Sequence, residues 1–378
     1  MSIEIKEIIT RRDLDTFIRF PLKLYKDNPY YVPSMYNDEV NCLSRDKNPA
    51  FKTARARYWL AYKDGKLAGR IAGMLLPTEE EKWGSKAMRF GWIDFIDDVE
   101  VVKALIGQVE DWARAEGMTS VHGPLGFTDM DREGMLIEGF DEMVTLATIY
   151  NYPYYPKYIE ELGYTKDVDW LEFQFDFTLD WESEKAHKAA EMVARRYNLH
   201  LFKGSKKELL KIAPQIFEVI DESYRHLYST VPLNREQVQT YINQYFGFVN
   251  LDLVSVVQDK DDRVVGFGIT FPSFSKALQK NRGFLFPFGF IHLLRALRKN
   301  DTADLYLVGV RDEYLSRGVT GMMMVDIYDG FMKHGIRYAE SNCCLENNLN
   351  ILATWKNFTT RQHKRRRCYV KHLDGGEK

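Results

Sequence analysis

The sequence predicts an α/β (α+β) chain of two tandem domains, each a mixed, twisted sheet flanked by helices. Its 378 residues fit two domains of ordinary size. In both halves, short apolar or alternating runs of the kind strands need are interleaved with longer amphipathic runs of the kind helices need. An alternating strand over residues 168–175 is followed by a charged stretch from Asp180 to Lys188 that starts a new helix, which sets the division near residue 180. The expected units are 1–180, 181–373 and a disordered tail at 374–378.

Composition narrows the function. Hydrophobic residues at 45% suffice for packed cores, and aromatics at 14% suit pockets with large flat walls. A formal net charge of −2 gives no general attraction to nucleic acid, so none is expected as a partner. Cys42, Cys343, Cys344 and Cys368 lack metal-ligand spacing, and the adjacent pair reads as small apolar residues at a strand end; no metal is expected. No apolar run approaches the length that spans a bilayer, and no signal peptide is evident, so a reducing cytoplasm is the expected location.

The first half opens with Ile3, Ile5 and Ile8 among charges, a short strand pattern, and then a helix near residues 11–17. Residues 58–76 form a hairpin signal, because Asp64-Gly65 supplies the positive φ that a tight turn requires. A strand over 89–96 and a helix over 99–116 follow. Between them lie Asp97-Asp98-Val99-Glu100, three carboxylates and no glycine, which would repel an anion rather than bind one. Residues 121–126 read as a strand end opening onto a long loop. There Asp129, Asp131 and Glu133 stand close together, with Gly134 where a calcium loop has its glycine. Phe140 occupies the position of the bidentate Glu, so the loop is read as solvated. The tyrosines at 150, 152, 154, 155 and 158 suit either the lining of a substrate cleft or simple packing at a domain edge.

The second half repeats the order. A strand near 198–202 leads to helices over 205–228 and 234–246, then to strands over 251–258 and 264–271 joined by a turn at Asp261-Asp262. An insertion at 275–300 holds Phe284, Leu285, Phe286, Phe288, Phe290, Ile291, Leu293 and Leu294, flanked by Lys276, Lys280, Arg282, Arg295, Arg298 and Lys299. Too short to span a membrane, its core 276–299 suits peripheral contact with a bilayer surface, a wall for a long acyl chain, or an inter-domain packing element. The basic run Arg361, Lys364, Arg365, Arg366, Arg367 reads as a solvated edge, with a ribose phosphate or an acidic carrier protein as alternative partners.

The informative stretch is 305–345. An apolar strand over 305–310 precedes Ser316-Arg317-Gly318-Val319-Thr320-Gly321, which opens directly into a helix. A glycine turn at a helix start points several backbone N–H groups at one place and adds the positive end of the helix dipole, an arrangement that favours a pyrophosphate. Neither a G-x-x-x-x-G-K-[ST] nor a G-x-G-x-x-G pattern occurs, which argues against a nucleoside-triphosphate loop or a dinucleotide fold. A strand over 337–341 comes next, then Glu346-Asn347-Asn348, and then a helix starting near Ile351 that carries Trp355.

This series resembles the second half of the GNAT acyltransferase superfamily: a strand, an [RQ]-x-x-G-x-[GA] loop, a helix, a strand, and an Asn shortly before a helix carrying an aromatic. Thr320 takes the loop's last small position and Leu315 its first. Trp355, seven residues beyond Asn348, has no hydroxyl to give a proton. The resemblance implies that Val308, Gly309 and Val310 pair with the pantetheine arm of acyl-CoA or acetyl-CoA, the co-substrate. It implies that Arg317, Gly318, Val319, Thr320, Gly321 and Met322 form the pyrophosphate loop. In the first half, the hairpin ending at Gly69-Arg70-Ile71-Ala72-Gly73 and the run Asn151 to Tyr164 resemble parts of the same fold, so two copies are implied.

Acyl transfer from a thioester to an amine needs a placed carbonyl, an unprotonated amine and stabilisation of the oxyanion. Backbone N–H groups around Val308 and Val310 are expected to polarise the carbonyl, Glu340 to act as base, and Asn342, Asn347 or Asn348 to orient the amine. The expected activity is N-acylation of a primary amine, small or lipid, from acyl-CoA or acyl carrier protein. Long double-copy proteins of this type resemble the acyltransferases that acylate sphingoid bases in bacterial ceramide formation. The rival expectation is a catalytically silent protein of the same fold that binds acyl-CoA or the inner face of a membrane.

Overall fold

The computed structural model describes residues 2–178, 183–356 and 358–373. The expected division near residue 180 and the tail at 374–378 lie outside the described residues. The strands are Ile3–Glu7 (β1), Arg55–Lys63 (β2), Lys66–Leu75 (β3), Ala87–Phe95 (β4), Ser120–Gly123 (β5), Met135–Glu138 (β6), Thr165–Asp176 (β7), His200–Leu201 (β8), Val254–Gln258 (β9), Val264–Pro272 (β10), Thr302–Val310 (β11), Tyr338–Ser341 (β12), Cys344–Leu345 (β13) and Thr360–His372 (β14). They join into one mixed sheet in the order β1-β2-β3-β4-β5-β14-β7-β12-β11-β10-β9-β8, with β6 beside β14 and β13 beside β7.

The sheet is continuous because the halves exchange their last strands. β14, from the C-terminal end, pairs with β5 of the first half, from Tyr369 opposite Gly123 to His372 opposite Ser120. β7 in turn pairs with β12 of the second half, Tyr338 opposite Asp176. β7 and β14 then pair with each other along most of their length.

That position corrects the reading of the C-terminal basic run as a solvated edge. Lys364 and Arg366 are fully buried in a central strand. Their charges are met by Glu172 on β7, 3.3 Å from Lys364 and hydrogen-bonded to Arg366, and by Glu340, 2.9 Å from Lys364. Unpaired, each would carry a prohibitive desolvation penalty.

Local signals account for the first-half elements. Asp64 and Gly65 both take positive φ, +48° and +76°, closing the β2–β3 hairpin as a two-residue turn. The helix Val99–Ala115 places Val101, Val102, Leu105, Ile106 and Val109 on one face, and these pack against Trp59, Ile71, Phe90 and Phe95 of the sheet. In the second half, Ser205 and Glu208 form a reciprocal cap at the start of the helix Lys206–Tyr224. That helix covers one face of β9–β11 through Ile216, Val219 and Ile220, while the helix Val319–His334 covers the other through Val319, Met322 and Met323. The result is a sheet between two helical layers.

The insertion forms two short helices, Ser275–Asn281 and Gly289–Arg298. Their inner face, with Leu278 and Leu293, packs on Tyr25, Val32 and Met35 of the first half. Gln279 donates to the carbonyls of Pro29 and Tyr31. The segment therefore bridges the two halves, while Phe286 (74% exposed), Phe288 (72%), Phe290 and Leu294 face outward. No helix among the described residues is long and apolar enough to cross a membrane.

Candidate active site

β11 and β12 run parallel only as far as Leu305 opposite Ser341. At that point Tyr306 is an extra residue in β11: Leu305 pairs with Thr270 of β10, and Leu307 already pairs with Ile269. Such a bulge bends the strand. Beyond it, Val308, Gly309 and Val310 keep β10 on one side only, opposite Gly268, Phe267 and Gly266. Asn342 closes the fork, its backbone N–H donating to the Leu305 carbonyl at 3.0 Å and its side-chain amide to the Tyr306 carbonyl at 3.3 Å. After it the chain turns away into β13, which pairs with β7 instead.

The fork opens a cavity of about 630 Å³ that passes through the sheet, a size typical of organic ligand sites. On one face its wall includes Thr320, Met323 and Met324 of the helix Val319–His334, with Asn348 and Trp355. On the other face the wall includes Tyr224, Tyr228, Asp129 and Glu133. The Tyr224 hydroxyl donates to the Val308 carbonyl and the Ser223 hydroxyl to the Val310 carbonyl, each at 3.0 Å, so this strand edge meets side chains where a neighbouring strand would otherwise lie.

The loop before the helix Val319–His334 has the geometry of an anion cradle. Gly318, at φ +82°, is the N-cap and supplies no side-chain cap. The first-turn amides of a helix have no intrahelical acceptor, and around Gly321 the space where a side chain would stand is open. Arg317 is exposed and lies over the rings of Tyr197 (5.4 Å) and Tyr314 (5.1 Å), which fix its guanidinium beside the loop. Val319 and Met322 turn inward and anchor the turn in the core.

The equivalent region of the first half is shut. β4 and β5 also part, after Arg89 opposite His122, but tyrosines fill the gap. Tyr155 stacks on Phe95 at 4.0 Å and accepts the Phe95 N–H at 2.9 Å, while Tyr154 donates to the Phe95 carbonyl at 2.7 Å. Tyr25 closes the group, bonded to both Tyr155 and Asp94. Tyr154 and Tyr155 thus pack in the gap, while Tyr150 and Tyr155 also line a smaller cavity of about 50 Å³ with Arg70, Asp94 and Asn151. The helix start is also occupied, since the Asp98 carboxylate caps its own Glu100 N–H and pairs with Lys63.

The remaining candidates are dispersed. Asn348 lines the cavity and caps the helix Leu349–Trp355, accepting from the Ile351 N–H at 3.5 Å. Glu340 lies outside the cavity wall, bound to Lys364 at 2.9 Å with His363 at 3.6 Å. The structure thus brings Val308, Gly309, Val310, Thr320, Asn342 and Asn348 to one cavity and leaves Glu340 in the buried charge cluster of β14. Trp355 is only 5% exposed; its indole N–H lies near the Cys344 thiol, with no oxygen or nitrogen acceptor among the described residues.

Sequence reasoning missed the first half's contribution. The 129–133 loop, read as solvated, lines the cavity instead. Burial, reinforced by Asp129, pushes the Glu133 carboxyl up to about 8; burial pushes Asp129 to about 6. Asp131 is pinned, accepting from the N–H groups of Phe127 and Thr128 and from the Cys42 thiol. The three acids at alternate positions were the available signal, but only the tertiary fold turns them inward. Nearby, His122, Asp167 and Cys368 bring ligand-type atoms within 4.8 Å of one another. The Tyr228 hydroxyl stands among them, bonded to all three.

Comparison with known proteins found full-length relatives. Protein YghO of Escherichia coli (strain K12) is 29% identical over 376 residues, covering 98% of this chain and 95% of that protein. A bacterial ceramide synthase of Caulobacter vibrioides is 24% identical over 389 residues, covering 98% of each. No family model matches the chain. Among solved structures, a tandem GNAT protein from the clavulanic acid biosynthesis pathway superposes over all of both chains with a TM-score of 0.59 at 10% identity. A GCN5-related N-acetyltransferase from Sphaerobacter thermophilus gives a TM-score of 0.53 at 11% identity, over 99% of this chain and 97% of that one.

Proposed function

The chain has a tandem GNAT fold, and on that premise we propose that it is an N-acyltransferase, moving an acyl group from acyl-CoA or acyl carrier protein to a primary amine. The observation that carries the reading is the contrast between halves: the second keeps an uncapped helix start beside an open fork, and the first has both filled by its own side chains. The pyrophosphate sits at Arg317 to Met322, the pantetheine arm runs along Val308 to Val310, and the thioester lies at the fork. Calorimetry with acetyl-CoA and palmitoyl-CoA tests this: Arg317→Glu is expected to weaken binding of both by tenfold or more, and unchanged affinity would remove the pyrophosphate site from this loop.

The acceptor is a lipid amine of the sphingoid type. A relative named as a ceramide synthase supports this, as does the outward patch of Phe286, Phe288, Phe290 and Leu294 beside Arg295 and Arg298. Apolar side chains rimmed by cations suit the surface of an anionic bilayer, from which such an amine would be drawn. Replacing Phe286 and Phe288 together by Ser is expected to reduce co-sedimentation with vesicles containing phosphatidylglycerol several-fold without changing acyl-CoA affinity. A second reading, a silent acyl-CoA-binding protein, is favoured by Trp355, which has no hydroxyl to protonate a leaving thiolate. Absence of CoA release in the presence of long-chain amines would establish that reading over the first.

A further inference from the structure

We propose that Glu133, carried by the first half of the chain, is the general base for the acceptor amine in the second half's cavity. The assignment rests on the N-acyltransferase reading above. Glu133 shares the cavity wall with Val308, Tyr224 and Cys343, the residues that surround the fork where the thioester would lie. The thiol of Cys343, just past β12 and on the same wall, is raised chiefly by burial, with Glu172 and Glu133 adding to it. Facing Glu133 are Asp129 and Asp131 of its own loop and Arg89 of β4. No hydrogen bond or ion pair among the described residues holds its carboxyl, whereas Glu340 is bound to Lys364 outside the cavity.

The chemistry follows from the surroundings. Burial and the Asp129 charge hold the Glu133 carboxyl at about 8, so its ionised form is a stronger base than an ordinary carboxylate. An ammonium acceptor gives one proton to this carboxylate and becomes a neutral amine. Its nitrogen then bonds to the thioester carbon. Collapse of the tetrahedral intermediate breaks the carbon–sulfur bond, and the departing thiolate takes the second proton from nitrogen, leaving amide and free thiol. Glu133 returns its proton to solvent, so one proton is released per turnover.

The test compares wild type, Glu133→Gln and Asp129→Asn, with palmitoyl-CoA as donor and sphinganine or dodecylamine as acceptor, following thiol release from pH 6 to 9.5. For wild type the rate should rise with pH through about 8, as Glu133 ionises. Glu133→Gln should bind palmitoyl-CoA within twofold of wild type by calorimetry and lose about 100-fold or more in rate. Asp129→Asn removes a charge that raises Glu133, so the rising limb should move to lower pH, a change that a purely structural role would not produce. A Glu133→Gln rate within threefold of wild type, or an Asp129→Asn profile that does not move, overturns the assignment. Wild type that binds palmitoyl-CoA but acylates neither amine overturns it too. Wild type that binds no acyl-CoA would instead overturn the donor reading on which it rests.

Discussion

Single side chains in this protein are set by what the other half of the chain presents to them. Lys364 is buried on β14 because Glu172 and Glu340 come to it from β7 and β12. Lys364→Met should therefore cost about 3 kcal/mol in urea unfolding, since it leaves two carboxylates short of a cation in a dry interior. Glu172, in turn, is held below the usual carboxylate range: burial opposes this, but the Arg366 and Lys364 charges prevail. A depressed carboxyl contributes stability that is present above its unfolded value and lost as pH falls through its folded one. The native state is accordingly expected to weaken below about pH 4, and Glu172→Gln to blunt that dependence in pH-resolved unfolding curves. Glu133 has the opposite sign. Its raised value favours the neutral acid in the folded state, so Glu133→Gln should stabilise the fold by about 1 kcal/mol or more at pH 9 and little at pH 4. None of this was legible from the sequence, where Arg365-Arg366-Arg367 and Asp129-x-Asp131-x-Glu133 read as solvated charge. Their partners lie far off along the chain, and periodicity carries no record of such pairs.

Elements were more legible, because their signals are local. The Asp64-Gly65 turn, the Ser205 cap and the apolar faces of Val99–Ala115 and Val319–His334 can be read from a few adjacent residues each. The glycine turn at the helix start was legible for the same reason, since Gly318 announces the left-handed conformation seen there. What could not be read was the fork beside it: a bulge at Tyr306 depends on register with β10, not on the residues of β11 alone. The helix start offers a clean test of element-level function. Gly321 faces open space in the first turn, so Gly321→Asp should fit without strain and even favour the helix by a few tenths of a kcal/mol. The same carboxylate should repel a pyrophosphate, as Asp98 would in the first half. The expected outcome is an unchanged or slightly raised melting temperature with acyl-CoA affinity reduced at least tenfold; equal affinity would separate the helix dipole from donor binding.

At the scale of the whole molecule, two sequence-contiguous halves form one sheet by trading strands. Neither half is then expected to stand alone: residues 1–178 lack the strand that should lie between β5 and β7. Expressed separately, that fragment should show little cooperative unfolding by circular dichroism, and co-expression with residues 179–378 should restore it. The two-domain organisation was legible from length, and the duplication from the resemblance of stretches in both halves to one fold. The exchange was not, because either β7 or β14 would satisfy the same hydrophobic pattern within its own half.

The exchange also fixes when the protein can become whole during synthesis. Thr165 and the Val370 carbonyl it meets are separated by 205 residues, so the seam between β7 and β14 cannot close until β14 itself has been synthesised. Until then the growing chain carries an unfinished sheet whose open edge is available to any passing strand. A ribosome stalled shortly before β14 would hold a nascent chain in need of a chaperone, and emergence of β14, not of either half alone, would be the event that ends that need.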